Sequence, residues 1–372
     1  MTEIPVAVAD PLTPKLRKCG AWRGIRVLTW DGSILYGCRG YAVVRLDAAL
    51  DLGTSAEWKV VARFPPSWWR NLTSQCALSY RLMRAGFHAL AIVRSETNGG
   101  TMVGAVPGAI VTCTPDSHEF HVTHRVQRGT RPLHIAAVPS GRIYWGEYFD
   151  NRERKEVHIY ASNDSGRTWP IAYTFPPGSI RHVHNIIYDQ WRDCLWILTG
   201  DDGAECKILR ADRDLRSLDV VLLGNQQARA VAGIPTRNGF YFSTDTPSEQ
   251  NHVYRLDCRI DGAGNLRPLG ELASSSIFGC KVGRSSGEAL FFSTMVEPSV
   301  VNKSREVQIS GSSDGANWQV LASWKKDNLP MRFFQYGNAF LPDGENSTRY
   351  LAATTIAVES ADLVTTLWEV ES

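Results

Sequence analysis

The stretch RHVHNIIYDQWRDCLWILTGDD, residues 181–202, sets His182 and His184 one residue apart at the start of an apolar run, with Asp201 and Asp202 at the end of the next. In an extended chain residues two apart face the same side, so the two imidazoles share a face about 7 Å apart while Val183 faces the other way. Imidazoles titrate near neutrality, which suits an acid and a base working on a sugar. The same pair could instead hold a divalent metal, with a carboxylate such as Asp201 as third ligand. No cofactor is required by the sequence beyond that open possibility. The segment YWGEYFDN adds Glu147, which could orient a histidine or serve as an acid, and Tyr148, which could stack under a sugar or donate a proton. Arg229, in QQARAV, offers the fork geometry that pairs with a substrate carboxylate such as that of a uronic or sialic acid. The stretch SHEFHVTH (117–124) is richer in histidine, yet His118 and His124 share a face that His121 opposes, and it reads as the solvated surface of an outer strand.

Elements that could position these groups emerge from internal repetition. Short apolar runs of period two, bounded by Gly, Asp, Asn and Pro, recur every eight to twelve residues or so, which argues for an all-β chain without a convincing amphipathic helix. One set aligns as YAVVRLD (41–47), GAIVTC (108–113), VHIYAS (157–162), KILRAD (207–212), HVYRLD (252–257), EVQISGS (306–312) and TTLWEV (365–370). These read as the third strands of the blades, and the second strands recur as ILYGC, ALAIV, RIYWGEY, CLWILTGD, GFYFSTD, ALFFSTM and YLAATTIAV. A period near fifty with four strands per unit predicts a seven-bladed β-propeller in a single domain. The blades are expected at about 24–66, 76–128, 130–176, 180–224, 226–273, 276–326 and 331–370. The last supplies three strands, and KLRKCGAW (15–22) is expected to close it as the fourth, removing the open edge.

SNDSGRTW (162–169) fits S-x-D-x-G-x-T-W in full, and SSDGANW (312–318) fits a degenerate form with Asp314, Gly315 and Trp318. In such a turn the Asp accepts backbone N–H bonds, Gly allows positive φ and Trp packs on the hairpin, so both read as structural. The chain thereby resembles the Asp-box β-propellers, the superfamily of sialidases and sialidase-like carbohydrate enzymes. RGIRVLTWDGSILYG (23–37) echoes the sialidase R-I-P segment through Arg26 and Asp31-Gly32 but lacks the proline. Sialidases have six blades; in blade count and residue types this chain is closer to seven-bladed polysaccharide lyases and enzymes that cleave rhamnose from glucuronic acid. The resemblance implies an oligosaccharide or glycoconjugate as partner.

In a propeller the beginnings of innermost strands and the ends of second strands meet around the channel mouth. The beginnings supply Arg26, Arg81, His134, Arg181, His182, His184, Gln226, Arg229 and Gln335; the ends supply Arg39, Glu96, Glu147, Tyr148, Asp201, Asp202, Asp245, Glu297 and Glu359. From these, His182, His184, Glu147, Tyr148 and Asp201 are the catalytic candidates. His134, Arg181, Arg229, Asp245, Glu297, Gln335 and Arg39 are the candidates for binding substrate. Elimination beside a uronate would use a histidine as base, with Tyr148 and Arg229; hydrolysis would draw two carboxylates from Glu147, Asp201 and Asp245. The sequence leaves both open. A glycan-binding propeller and a protein-interaction scaffold are the alternatives, the latter disfavoured by the absence of an evident hydrophobic rim.

Composition sets the outer bounds. In 372 residues, 40 Lys and Arg against 38 Asp and Glu leave a charge of +2, and no basic run interleaves with aromatics, so neither nucleic acid nor anionic lipid is called for. The first residues lack a basic segment followed by a long apolar one, and no run of eighteen apolar residues occurs. Eight cysteines without CxxC spacing read as small buried hydrophobes in a reducing compartment. The expectation is a cytoplasmic protein that does not insert into membranes.

Overall fold

The apolar runs become strands that pair antiparallel with their chain neighbours, and the described residues form seven sheets, six of four strands and one of five. The computed structural model describes residues 13–50, 57–95, 98–257 and 266–371; Glu96 and Cys258 lie outside them. The chain is an all-β, seven-bladed propeller. Its innermost strands are Arg26–Gly32, Ala89–Ser95, Ala136–Ala137, His182–Asp189, Ala230–Thr236, Ser276–Arg284 and Asn338–Phe340. Middle strands such as Cys194–Gly200 are buried along their whole length because both faces press on neighbouring blades. Trp196, for example, stacks on Phe240 of the next blade with ring centroids 4.5 Å apart, and burying a side chain of that kind stabilises by about 1.5–3 kcal/mol. Close approach between blades also explains Gly146: a Cβ there would stand 2.4 Å from Cβ of Val183.

Lys15–Arg23 closes the seventh blade as expected, pairing antiparallel with Val364–Glu371 from Lys15 opposite Glu371 to Arg23 opposite Val364. A second tie was not legible in the sequence. Asp343–Asn346 leaves the seventh blade and pairs parallel with the innermost strand of the first, Thr29 opposite Asp343 and Gly32 opposite Asn346. A fifth strand on the inner edge of a blade lies in the channel, and His134 of the third blade reaches it, with Nδ1 2.9 Å from Asp343 Oδ2. The strand therefore occupies the channel below the mouth. Gly344 permits this with φ of 84° and no room for a side chain, since a Cβ would lie 2.2 Å from the Trp30 carbonyl oxygen.

The second blade differs from expectation. ALAIV belongs to its innermost strand, Ala89–Ser95, and the second strand is Asn98–Val106. That second strand, NGGTMVGAV, is glycine-rich and lacks strict alternation, which hides it from a period-two reading. Two short helices precede the blade, α1 (Trp68–Thr73) and α2 (Ala77–Met83), where no helix was expected. Arg81 consequently lies on α2 and not at a strand start. It is 1% exposed and ties α2 across the mouth face, pairing with Asp327 at 2.6 Å and Asp362 at 3.2 Å and donating to the Phe334 carbonyl at 2.7 and 3.0 Å. The helices leave Trp68, Leu72, Leu78, Leu82 and Met83 exposed, with Phe333 of α3 (Met331–Phe334) exposed as well. An apolar rim is thus present, contrary to the sequence reading. The link between outer and next innermost strand is where polar residues alternate with Trp and Leu without a clear period, so the patch escapes notice in the sequence.

Both aspartate-centred turns, at Asp164 and Asp314, form as their chemistry predicts. Asp164 accepts from the backbone of Arg167 and Thr168 at 3.0 and 2.9 Å and from the Thr168 hydroxyl at 2.7 Å. Gly166 takes φ of 82°, and Trp169 is buried. Asp314 repeats the pattern with the backbone of Ala316 and Asn317, both at 2.8 Å. A third turn works alike without the motif: Asp212 gathers the backbone N–H groups of Asp214, Arg216 and Ser217 at 2.7, 3.1 and 2.9 Å. Of the cysteines, Cys38, Cys113, Cys194 and Cys206 are buried, whereas Cys19 and Cys76 are exposed.

Candidate functional site

The polar groups that converge most tightly come from the third, fourth and fifth blades. His182 opens the innermost strand of the fourth blade, and a β-bulge between Val183 and Asn185 leaves His184 without a register partner. Bulges bend a strand and re-aim side chains. Here the two imidazoles come closer than a regular strand allows, with ring centroids 4.9 Å and Nε2 atoms 3.0 Å apart. Each ring is anchored from behind: His182 Nδ1 lies 3.0 Å from the Phe149 carbonyl oxygen and His184 Nδ1 lies 2.8 Å from that of Ala230. Both histidines are buried, whereas Val183 faces the opposite side and packs in the core.

Asp201, where Cys194–Gly200 ends, faces the pair, Oδ1 3.3 Å from His184 Nε2 and Oδ2 3.5 Å from His182 Nε2. Arg181 NH1 lies 3.0 Å from Asp201 Oδ2, and Arg229 NH2 lies 3.4 Å from Asp201 Oδ1. The same Arg229 nitrogen is 3.4 Å from Asp245 Oδ2, so one guanidinium separates two carboxylates. Tyr148 covers the cluster, its ring centroid 4.3 Å from that of His182.

The two carboxyls are displaced in opposite directions. Burial raises Asp201, but hydrogen bonds to His182 and His184 outweigh it and hold the group far below the usual carboxylate range. Asp245 is pushed up to about 7, chiefly by burial and further by the negative charges of Glu297 and Asp201, against the lowering pull of Arg229. Burial and the nearby Asp201 and Asp245 raise the Tyr148 phenol to about 12. Burial lowers His184, only partly offset by its bond to Asp201.

Of the twelve residues singled out from the sequence, His182, His184, Tyr148, Asp201, Arg181, Arg229 and Asp245 share this cluster, with Glu297 beside it through Arg229 and Asp245. Four others lie elsewhere. Glu147 does not meet the histidines: it is buried in a two-pronged pair with Arg128 and accepts from the His158 backbone at 2.8 Å. One residue separates it from Tyr148's direction, and that alone turns it away from the mouth. His134 is tied to Asp343 in the channel, and Gln335 donates to the Arg81 carbonyl at 2.8 Å. Arg39 lines a separate cleft of about 460 Å³ beside α1 with Tyr41, Arg63 and His118. Sequence reasoning missed Asp150, which holds Arg181 at 2.7 Å, and the two anchoring carbonyls, which carry no residue-type signal at all.

No protein-family model matches the chain, and no curated protein matches its sequence. Among solved structures it is similar to a chain of a mitotic checkpoint complex, with a TM-score of 0.57 at 11% identity over 100% of both chains. It is similar also to the β-propeller domain of Cps50 (Swd1) from Myceliophteria thermophila, with a TM-score of 0.58 at 10% identity over 96% of this chain and 100% of that one. At such identities the likeness is one of fold.

Proposed function

We propose that the protein is a carbohydrate-active enzyme that cleaves a glycosidic bond in an anionic saccharide at the channel mouth, and that it belongs among the Asp-box propellers. The observation that carries this reading is the pair Asp201 and Asp245 on one Arg229 nitrogen, one carboxyl held ionised and the other raised to about 7. Environments that push neighbouring carboxyls apart are how a site separates an ionised group from one that delivers a proton at neutral pH. Asp245 is the proton-transferring group. Arg181 and Arg229, whose Nε atoms are buried without a hydrogen-bond partner, supply the positive charge that a uronate or sialate carboxylate needs. Tyr148 offers a ring face to the sugar and, kept protonated by its raised pKa, a hydroxyl donor. The pair of Asp-box turns supports the superfamily assignment.

Incubation with a panel of uronate- and sialate-containing oligosaccharides tests it, reading reducing ends and the ultraviolet absorbance of unsaturated sugars. New reducing ends alone mark hydrolysis, and absorbance with them marks elimination. Asp245→Asn should lower either by at least about 100-fold while binding persists. Binding without product would reduce the protein to a glycan reader, and no binding to any member of the panel would sink the proposal. The exposed apolar residues of α1, α2 and α3 favour a second reading, a protein-interaction propeller. Serine replacements at Trp68 and Leu72 that abolish capture of a partner while leaving the panel results unchanged would support it.

A further inference from the structure

We propose that His182, His184 and Asp201 form a binding site for one first-row divalent transition-metal ion, of the zinc or manganese kind. The inference rests on the geometry of these side chains and is independent of the saccharide chemistry above. Four ligand atoms converge: the Nε2 atoms 3.0 Å apart, and the Asp201 oxygens 3.3 and 3.5 Å from them. Two nitrogens bound to a common ion at about 2.0–2.1 Å stand roughly 3.0 Å apart at a right angle and about 3.4 Å at a tetrahedral one. The spacing is that of ligands already drawn together.

The tautomers make the same point from the other side of each ring. A backbone carbonyl can only accept, so the bonds to Phe149 and Ala230 place a hydrogen on each Nδ1. Unless it carries a second hydrogen, which it can then donate to Asp201, each Nε2 directs a lone pair toward the other ring in a buried pocket beside that carboxylate. Facing lone pairs repel unless a cation stands between them. A far-side N–H donated to a carbonyl is also how metal-binding histidines are commonly oriented. Arg181 and Arg229 grip the Asp201 oxygens at 3.0 and 3.4 Å and so act as positioning residues for the third ligand. Two imidazoles and one carboxylate suit zinc, manganese or iron(II), whereas magnesium and calcium prefer all-oxygen sets. Three protein ligands leave at least one position for water or a substrate oxygen.

The rival occupant is a proton shared by the two imidazoles. Full-length protein without an affinity tag, stripped with a chelator and then dialysed, is titrated with Zn²⁺ by calorimetry and with Co²⁺ by visible absorption, without any saccharide. The expected result is one equivalent bound, a Co²⁺ ligand-field spectrum and a higher Tm with Zn²⁺. His184→Ala and the bulkier His184→Gln, whichever folds by circular dichroism, should weaken binding by at least 100-fold, and Asp201→Asn by about 10-fold or more. His134→Ala, outside the cluster, should leave uptake unchanged. Folded wild-type protein that takes up neither ion at a roughly tenfold excess would overturn the proposal in favour of the shared proton. Undiminished uptake by the folded His184 variant would overturn it too. Because the readout needs no substrate, an inactive oligosaccharide panel leaves this result untouched.

Discussion

Asp245 and Asp201 sit on one guanidinium nitrogen, yet only Asp245 is deep enough, and flanked by enough negative charge, to hold its proton near neutrality. A carboxyl whose pKa is higher folded than unfolded binds more protons in the native state between the two values. The contribution of Asp245 to stability therefore falls as pH rises from about 4 towards 7 and levels off above it, by an amount on the order of a few kcal/mol. Urea unfolding of Asp245→Asn across that range should show the decline flattened, and stability at pH 8 equal to or above wild type. If Asp245 also delivers the proton in catalysis, activity of the wild type should decline above about pH 7. Position in the repeat placed His182, His184, Tyr148, Asp201, Arg181, Arg229 and Asp245 among the mouth candidates, and the structure gathers them into one cluster, because those strand starts and ends are fixed by the blade. It could not say where each side chain turns. Glu147 and Tyr148 are adjacent, and the one is spent on Arg128 while the other covers His182. Nor could it foresee the bulge at His184 that brings the imidazoles into contact.

At the scale of the element, the turn at Asp164 shows how three consecutive N–H groups are satisfied without a partner strand, Gly166 donating to the Ser162 hydroxyl and Arg167 and Thr168 to Asp164. Asp164→Ala removes the acceptor for two backbone donors and the Thr168 hydroxyl. A loss of about 1–3 kcal/mol is expected by chemical denaturation, with no change in the histidine cluster on the neighbouring blade. Asp314→Ala should behave alike. These turns were legible because their residue types are the mechanism. The Asp212 turn was not, since it reaches the same end with Leu215 at φ of 59° where a glycine would be the usual signal. The second blade shows the opposite failure. Ala89–Ser95 is apolar enough to be seen but carries no mark of its order in the sheet, and the helices before it are too short to show a period. The channel strand Asp343–Asn346 has the sequence of a turn, DGEN, and becomes a strand only because Arg26–Gly32 offers it an edge.

For the molecule as a whole, seven blades and their closure were readable because a sheet that buries its faces only on its neighbours must repeat. The cross-ties were not, since each joins residues from distant repeats. Arg81 links α2 to Asp327, Asp362 and Phe334, and Arg81→Ala should cost about 1–3 kcal/mol in thermal or denaturant unfolding by removing a buried side chain that ties three partners together, Asp327 retaining Lys326. Deleting residues 15–23 should do more, exposing the Val364–Glu371 edge, lowering Tm and promoting association visible by light scattering. That closure also has a meaning in time. Lys15–Arg23 precedes its partner Val364–Glu371 by about 340 residues along the chain, so at about 5–20 residues per second it waits roughly twenty seconds to a minute for a strand to pair with. An unpaired edge is most hazardous in such an interval. Lys15, Arg17, Lys18 and Arg23 give the waiting segment a run of like charge that discourages it from joining another nascent chain, and in the finished ring Arg17 pairs with Glu369. The same charges guard the strand before closure and help to lock it afterwards.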